Sequence, residues 1–165
     1  MSEKFKKELR KVIHDAISET AIAFFHGDMA IENGLVVIES SVAAYVPPRA
    51  DITAIVGFSG GMEGGIHLSA PMHSAIGLAS AFIGEPIERF GPDVRDAMGE
   101  LTNIVAGSVK SYLSEGIHLS PPNVITGAGH IVEYTATLES TKCYFMIKSG
   151  PFNVEVFYRN NNKYA

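Results

Sequence analysis

The chain has 165 residues, 46% hydrophobic and 19% charged, which suits a single domain with a real core and excludes a disordered chain. Lys plus Arg number 13 against 18 Asp plus Glu, a formal net charge of −5. That balance argues against nucleic acid and against an anionic membrane surface as partners, since both demand a basic face. Cys143 is the sole cysteine, so neither an internal disulfide nor a CxxC metal site is available. The start, MSEKFKKELRK, is charged with no apolar stretch behind it, and the apolar run Ala21–Phe25 is far too short to span a bilayer. A cytoplasmic protein without membrane insertion is the expectation.

Residues 3–26 predict an amphipathic helix, because Phe5, Leu9, Val12, Ile13, Ile17 and Ala21 recur at helical spacing between charged residues. Gly27-Asp28 should end it. The β-branched run 35–46 predicts one strand, or two with a bulge, stopped by Pro47-Pro48. Residues 52–59 and 65–70 predict paired strands joined by the glycine-rich turn Gly60–Gly64. A second helix is expected over 72–84. A third should run from about Pro92 to Glu115, with Pro92 in its first turn, Asp93 at the positive end of its dipole and Gly116 as its stop. Strands are expected at 123–126, 130–138, 143–148 and 152–159, followed by a frayed polar tail over 160–165. Helices and strands do not alternate singly. The fold class is therefore α+β, with long helices on an antiparallel sheet and a weak internal duplication: a long helix followed by strands, twice.

The third helix, PDVRDAMGELTNIVAGSVKSYLSEG, carries the strongest chemical signal. At about 100° per residue, Asp96, Glu100, Asn103 and Gly107 share one narrow stripe, which Lys110, Ser111 and Ser114 extend. Val94, Leu101, Val105, Ser108 and Tyr112 lie opposite. Amphipathicity alone would be ordinary. Asparagine in mid-helix is less so, because its side chain competes for backbone hydrogen bonds. Gly99 and Gly107 each cost the helix about 1 kcal/mol against alanine. Local rules broken without structural gain point to function. Glu100 and Asn103, three residues apart, point the same way. The pair has no nucleophile and no good general base, so it can position a water or recognise a partner, and it cannot hold a catalytic zinc unaided.

Other signals read as structure. SGGMEGG, Ser59–Gly65, has the glycine density of a phosphate loop but lacks the following lysine and helix start. The six histidines show no HxH, HxxxH or HExxH spacing, and no GxSxG motif is present. Thr126–His130 is a glycine-rich break that suggests a bulge, and Cys143 reads as a small core residue.

The stretch DAMGELTNIVAGSVKSYL, Asp96–Leu113, resembles the signature helix of the CheC/CheX/FliY family of chemotaxis phosphatases: a Glu-x-x-Asn pair followed by Ala-Gly, here Glu100, Asn103, Ala106 and Gly107. DITAIVGFSGGMEGGIHLSAP, SAFIGEPIERFGPDVRDAMGE and LSPPNVITGAGH resemble the CheX branch in the same order. The first helix has no asparagine, so the resemblance implies one site per chain, as in CheX rather than CheC. It further implies hydrolysis of the aspartyl phosphate on a CheY-like receiver domain. Glu100 would pair with the receiver lysine and Asn103 would orient the attacking water. Asp96, Gly107 and Lys110 would contact the partner, with Ala106 and Gly107 keeping the helix face low. Mg²⁺ is expected on the receiver, no cofactor in this chain, and a homodimer joined through sheet edges such as 35–46 or the final strand. A domain that sequesters the phosphorylated receiver without hydrolysing it is the alternative. A purely structural dimerisation domain would instead keep the polar stripe covered.

Overall fold

Alternation is what shapes the sheet. In β2, Ala50–Ser59, the side chains of Ile52, Ala54, Val56 and Phe58 are buried on one face. In β3, Met62–Ala70, Ile66, Leu68 and Ala70 do the same. The period of two places each set on the face that the helices cover. The computed structural model describes residues 1–24, 36–38, 49–113 and 115–161. Its elements begin with α1, Glu3–Phe24, and β1, Val36–Ile38. After β2 and β3 come α2, Met72–Ile83, and α3, Pro92–Leu113. The chain closes with β4, His118–Leu119, β5, Asn123–His130, β6, Glu139–Ile147, and β7, Gly150–Asn160.

Among the described residues, seven strands form one antiparallel sheet in the order β1-β6-β7-β3-β2, with β4 and β5 both pairing along the outer edge of β2. One cluster joins Leu9, Ile13 and Ile17 of α1, Leu78 of α2, and Met98, Leu101 and Val105 of α3 to Val56, Phe145 and Val154 of the sheet. Burial of apolar surface at this helix–sheet boundary supplies the main drive for folding. The α+β class and the antiparallel sheet expected from the sequence are observed.

Several boundaries differ from the expectation. Gly64 is not a turn residue: with Met62 and Glu63 it sits in β3, paired with Phe58, so the hairpin closes at Gly60-Gly61, while Gly65 lies in the strand as expected. Gly60 has φ +132°, and a Cβ there would strike the Gly116 carbonyl oxygen, so both the turn and the contact require glycine. The expected strand over 130–138 is absent. β5 ends at His130, and 131–138 runs as irregular chain. A β-rich composition did not suffice there because no neighbouring strand edge pairs with the segment.

The glycine-rich break behaves as a bulge. Ala50 pairs with His130 but Ile52 with Thr126, so two steps of β2 face four of β5. Asp51 fastens the distortion: its carboxylate accepts from Gly129 N at 3.0 Å and from Met72 N, at the start of α2, at 2.9 Å. These two backbone bonds hold its pKa below the ordinary carboxylate value.

The final strand cannot offer an edge for dimerisation. β7 lies inside the sheet, bonded to β3 on one side and β6 on the other. Within the expected tail, Asn160 is the last residue of β7. Asn161 donates from its backbone N to Gly61 O at 3.1 Å and from Nδ2 to Glu63 Oε2 at 2.9 Å. Residues 162–165 lie outside the described residues, as do the predicted helix stop at Gly27-Asp28, most of the 35–46 run and Pro47-Pro48.

Candidate active site on the third helix

α3 is held by the face opposite its polar stripe. Val94, Ala97, Met98, Leu101, Val105 and Val109 are buried. Tyr112 ties the C-terminal turn to α1 through a ring contact with Phe5 at 5.6 Å and a hydrogen bond from its hydroxyl to Glu8 Oε2 at 3.1 Å. Thr102, between Leu101 and the asparagine, is fully buried and donates to Met98 O at 2.7 Å. That bond satisfies a hydroxyl facing the core without drawing on the stripe.

The stripe is open. Asp96, Glu100, Asn103, Gly107, Lys110 and Ser111 are all exposed. Neither Glu100 nor Asn103 has a hydrogen-bond or ion-pair partner among the described residues. A Cβ on Gly107 would meet nothing within 4 Å. The helix therefore offers a carboxylate and a carboxamide one turn apart, with a gap in the side-chain relief one turn further on. This exposure counts against the structural dimerisation reading, which requires the stripe to be covered.

Two sequence expectations need refinement. Ala106 is 0% exposed and packs into the core, so it cannot lower the exposed face; Gly107 alone does that. The reason is the helical period, which rotates adjacent residues onto different faces. Gly99 is buried at the border of the stripe, where its Cβ position lies 3.5 Å from Pro122. A proline wall thus flanks the site, and helical periodicity could not have found it. At the other end, the Arg95 guanidinium sits 5.8 Å above the Phe90 ring, steadying the connector that leads into α3.

Among the described residues, no group of three or more His, Cys, Asp or Glu side chains could hold a metal ion, and no helix is long and apolar enough to cross a membrane. Cys143 is buried, and its thiol is pushed up to about 11, chiefly by burial. It takes no part in the site.

The model of the family described as chemotaxis phosphatase CheX matches residues 52–146, a span that holds most of β2, then β3, α2 and the whole of α3. The chain belongs to the CheX family of chemotaxis phosphatases. Solved structures share its fold. The chemotaxis protein CheX from Desulfovibrio desulfuricans matches with a TM-score of 0.74 at 24% identity, covering 92% of this chain and 99% of that one. CheX from Vibrio vulnificus matches with a TM-score of 0.74 at 19% identity, covering 93% and 98%. The CheX–CheY–BeF3–Mg²⁺ complex from Borrelia burgdorferi matches with a TM-score of 0.70 at 19% identity, covering 91% and 97%. No curated protein matches the sequence. Membership in the CheX family makes this chain a chemotaxis phosphatase and agrees with the family resemblance that α3 carries in the sequence.

Proposed function

We propose that this CheX-family phosphatase hydrolyses the aspartyl phosphate of a CheY-like receiver domain, with Glu100 and Asn103 as the residues that act on it. The observation that carries the reading is the exposed, partnerless Glu100–Asn103 pair beside the open space at Gly107. A phosphoryl group needs positioning and charge stabilisation more than covalent help. Asn103 carries both a donor and an acceptor, so its carboxamide can hold a water in line with phosphorus. The water oxygen forms the new P–O bond as the bond to the aspartate oxygen breaks. The aspartate leaves as carboxylate, and the water's proton passes to the phosphate or to solvent. Glu100 docks the helix by an ion pair with a receiver lysine and so sets the register of Asn103. Asp96 and Lys110 extend the contact, and Gly107 lets the partner's backbone approach. Mg²⁺ belongs to the receiver in this scheme, as the metal in the Borrelia burgdorferi complex suggests. A cytoplasmic site of action follows from such a partner.

The chain is further proposed to act as a homodimer. Among the described residues β1 pairs only with β6, which leaves its other edge as the candidate seam.

The test is phosphate release from a phosphorylated CheY-like receiver of the same organism. Wild type should shorten the lifetime of the phosphorylated receiver. Asn103→Ala should lower turnover by about 100-fold or more with binding retained, and Glu100→Ala should act mainly by weakening the complex about 10- to 100-fold. Binding of the phosphorylated receiver with its lifetime unchanged would instead establish the sequestering alternative.

A further inference from the structure

The sheet face turned away from the helices carries a second polar assembly that the phosphatase reading does not use. Its members follow from the register. Thr53 pairs with Ser69, and Ser69 with Asn153; two residues along, His67 pairs with Glu155, and Glu155 with Lys142. These six alternate with the core residues Ile52, Leu68, Val154 and Cys143, so they point to the opposite face. A bare sheet face would leave them wet. Instead Thr53 is 1% exposed and His67 3%.

The cover is the end of β5 and the chain that follows it. His130 Nε2 lies 2.8 Å from Thr53 Oγ1, and the Tyr134 hydroxyl 2.7 Å from His67 Nε2. The rings of His67, Tyr134 and Phe157 pack around this point in tilted contacts, with centroids 4.8–5.4 Å apart. A cavity of about 250 Å³ remains, walled by Thr53, His67, Ser69, Lys142, Asn153 and Glu155, with the exposed Arg49 beside them. It is at the small end of ligand sites, sized for a metabolite of few atoms.

Donor accounting gives the cavity its polarity. His130 Nδ1 is 2.8 Å from Gly127 O. A carbonyl only accepts, so in the neutral ring Nδ1 carries the proton and Nε2 accepts from the Thr53 hydroxyl. Thr53 Oγ1 in turn accepts from the Ser69 hydroxyl, 3.0 Å away. Ser69 is left with lone pairs to offer. The Asn153 carboxamide and His67 Nδ1 have no hydrogen-bond partner among the described residues. Burial first, then Lys142, lowers the His67 pKa to about 4, so the ring is neutral at pH 7. Glu155 is answered by Lys142 at 3.5 Å, and Arg49 adds the charge left over. Acceptor, donors and a single net positive charge thus converge on one small space.

We propose that this cavity binds a small hydroxycarboxylate, its carboxylate drawn by Lys142, Arg49 and the Asn153 amide and its hydroxyl donating to Ser69. Nuclear magnetic resonance titration tests this, reading the ring signals of His67 and His130 with L-lactate as probe. Saturable shifts are expected, weakened about tenfold in Arg49→Gln and in Lys142→Met, and about tenfold when propionate, which lacks the hydroxyl, replaces lactate. Arg49 is exposed, so that variant keeps the fold if the Lys142 variant does not. Absence of saturation by about 10 mM lactate overturns the proposal. Unchanged affinity in Arg49→Gln overturns it too, by moving the binding elsewhere. Equal binding of propionate removes the hydroxyl from the assignment, and tighter binding of inorganic phosphate makes the cavity a phosphate site instead.

Discussion

Gly107 separates stability from function more cleanly than any other residue of α3. It lies in the helix interior, exposed, with nothing within 4 Å of its Cβ position. Alanine there costs no contact and removes backbone freedom from the unfolded chain. Gly107→Ala is expected to raise stability by up to about 1 kcal/mol, a rise of about 2–4 °C in melting temperature for a chain of this size. Gly107→Leu should keep the fold as well, yet it fills the space that the receiver's backbone is proposed to use. Phosphatase activity should then fall about tenfold or more while thermal melting stays at or above wild type. A Leu variant that melts normally and retains full activity would remove Gly107 from the docking face. Asn103 and Gly107 were legible in the sequence for one reason: both violate helix propensity on the polar face, where packing cannot explain them. Pro122 was not legible, because the contact with Gly99 joins α3 to a segment beyond it, and no local pattern encodes that approach.

The elements show where local pattern suffices. The helices appeared where periodicity placed them: α2 within a residue of expectation, and α3 ending at Leu113 with Gly116 in the left-handed region at φ +77°. Strands were less obedient. Residues 131–138 hold β-branched and aromatic side chains, yet they form the cover over His67 rather than a ladder. Strand formation needs a partner edge, and β2 already carries β5 and β4 along its outer side. The β2–β3 turn depends on its glycine for two reasons that operate together, the φ of +132° and the Gly116 carbonyl oxygen that a Cβ would strike. Gly60→Ala should therefore cost about 1–3 kcal/mol, read as a lower midpoint in urea unfolding with little change in slope. The equivalent change at Gly99, where the nearest atoms are 3.5 Å away in ordinary contact, should instead raise stability by up to about 1 kcal/mol.

At the scale of the whole molecule, the titration of the buried His67 ties stability to pH. Its pKa is lowered from 6.5 to about 4 by burial and by Lys142. The unfolded chain then binds more protons than the folded one between those values, so stability rises with pH through this window. It is fully present above about pH 6.5 and is lost as the pH falls toward 4. The expected loss between pH 7 and pH 5 is about 2 kcal/mol. His67→Gln should flatten that part of the stability profile. An unchanged profile would assign the acid sensitivity to other groups.

From the sequence alone came the α+β class, the single Glu-x-x-Asn stripe and the family it resembles, because helical period and residue chemistry are local properties that survive without coordinates. Tertiary structure decided which strands are edges, placing β7 inside the sheet, and which glycines open the site, turning Ala106 inward and leaving Gly107 bare. It also decided that Thr53, His67 and Lys142, far apart in the chain, share one covered face. Strand order and register are set by contacts between distant segments, and only the folded sheet brings those segments together.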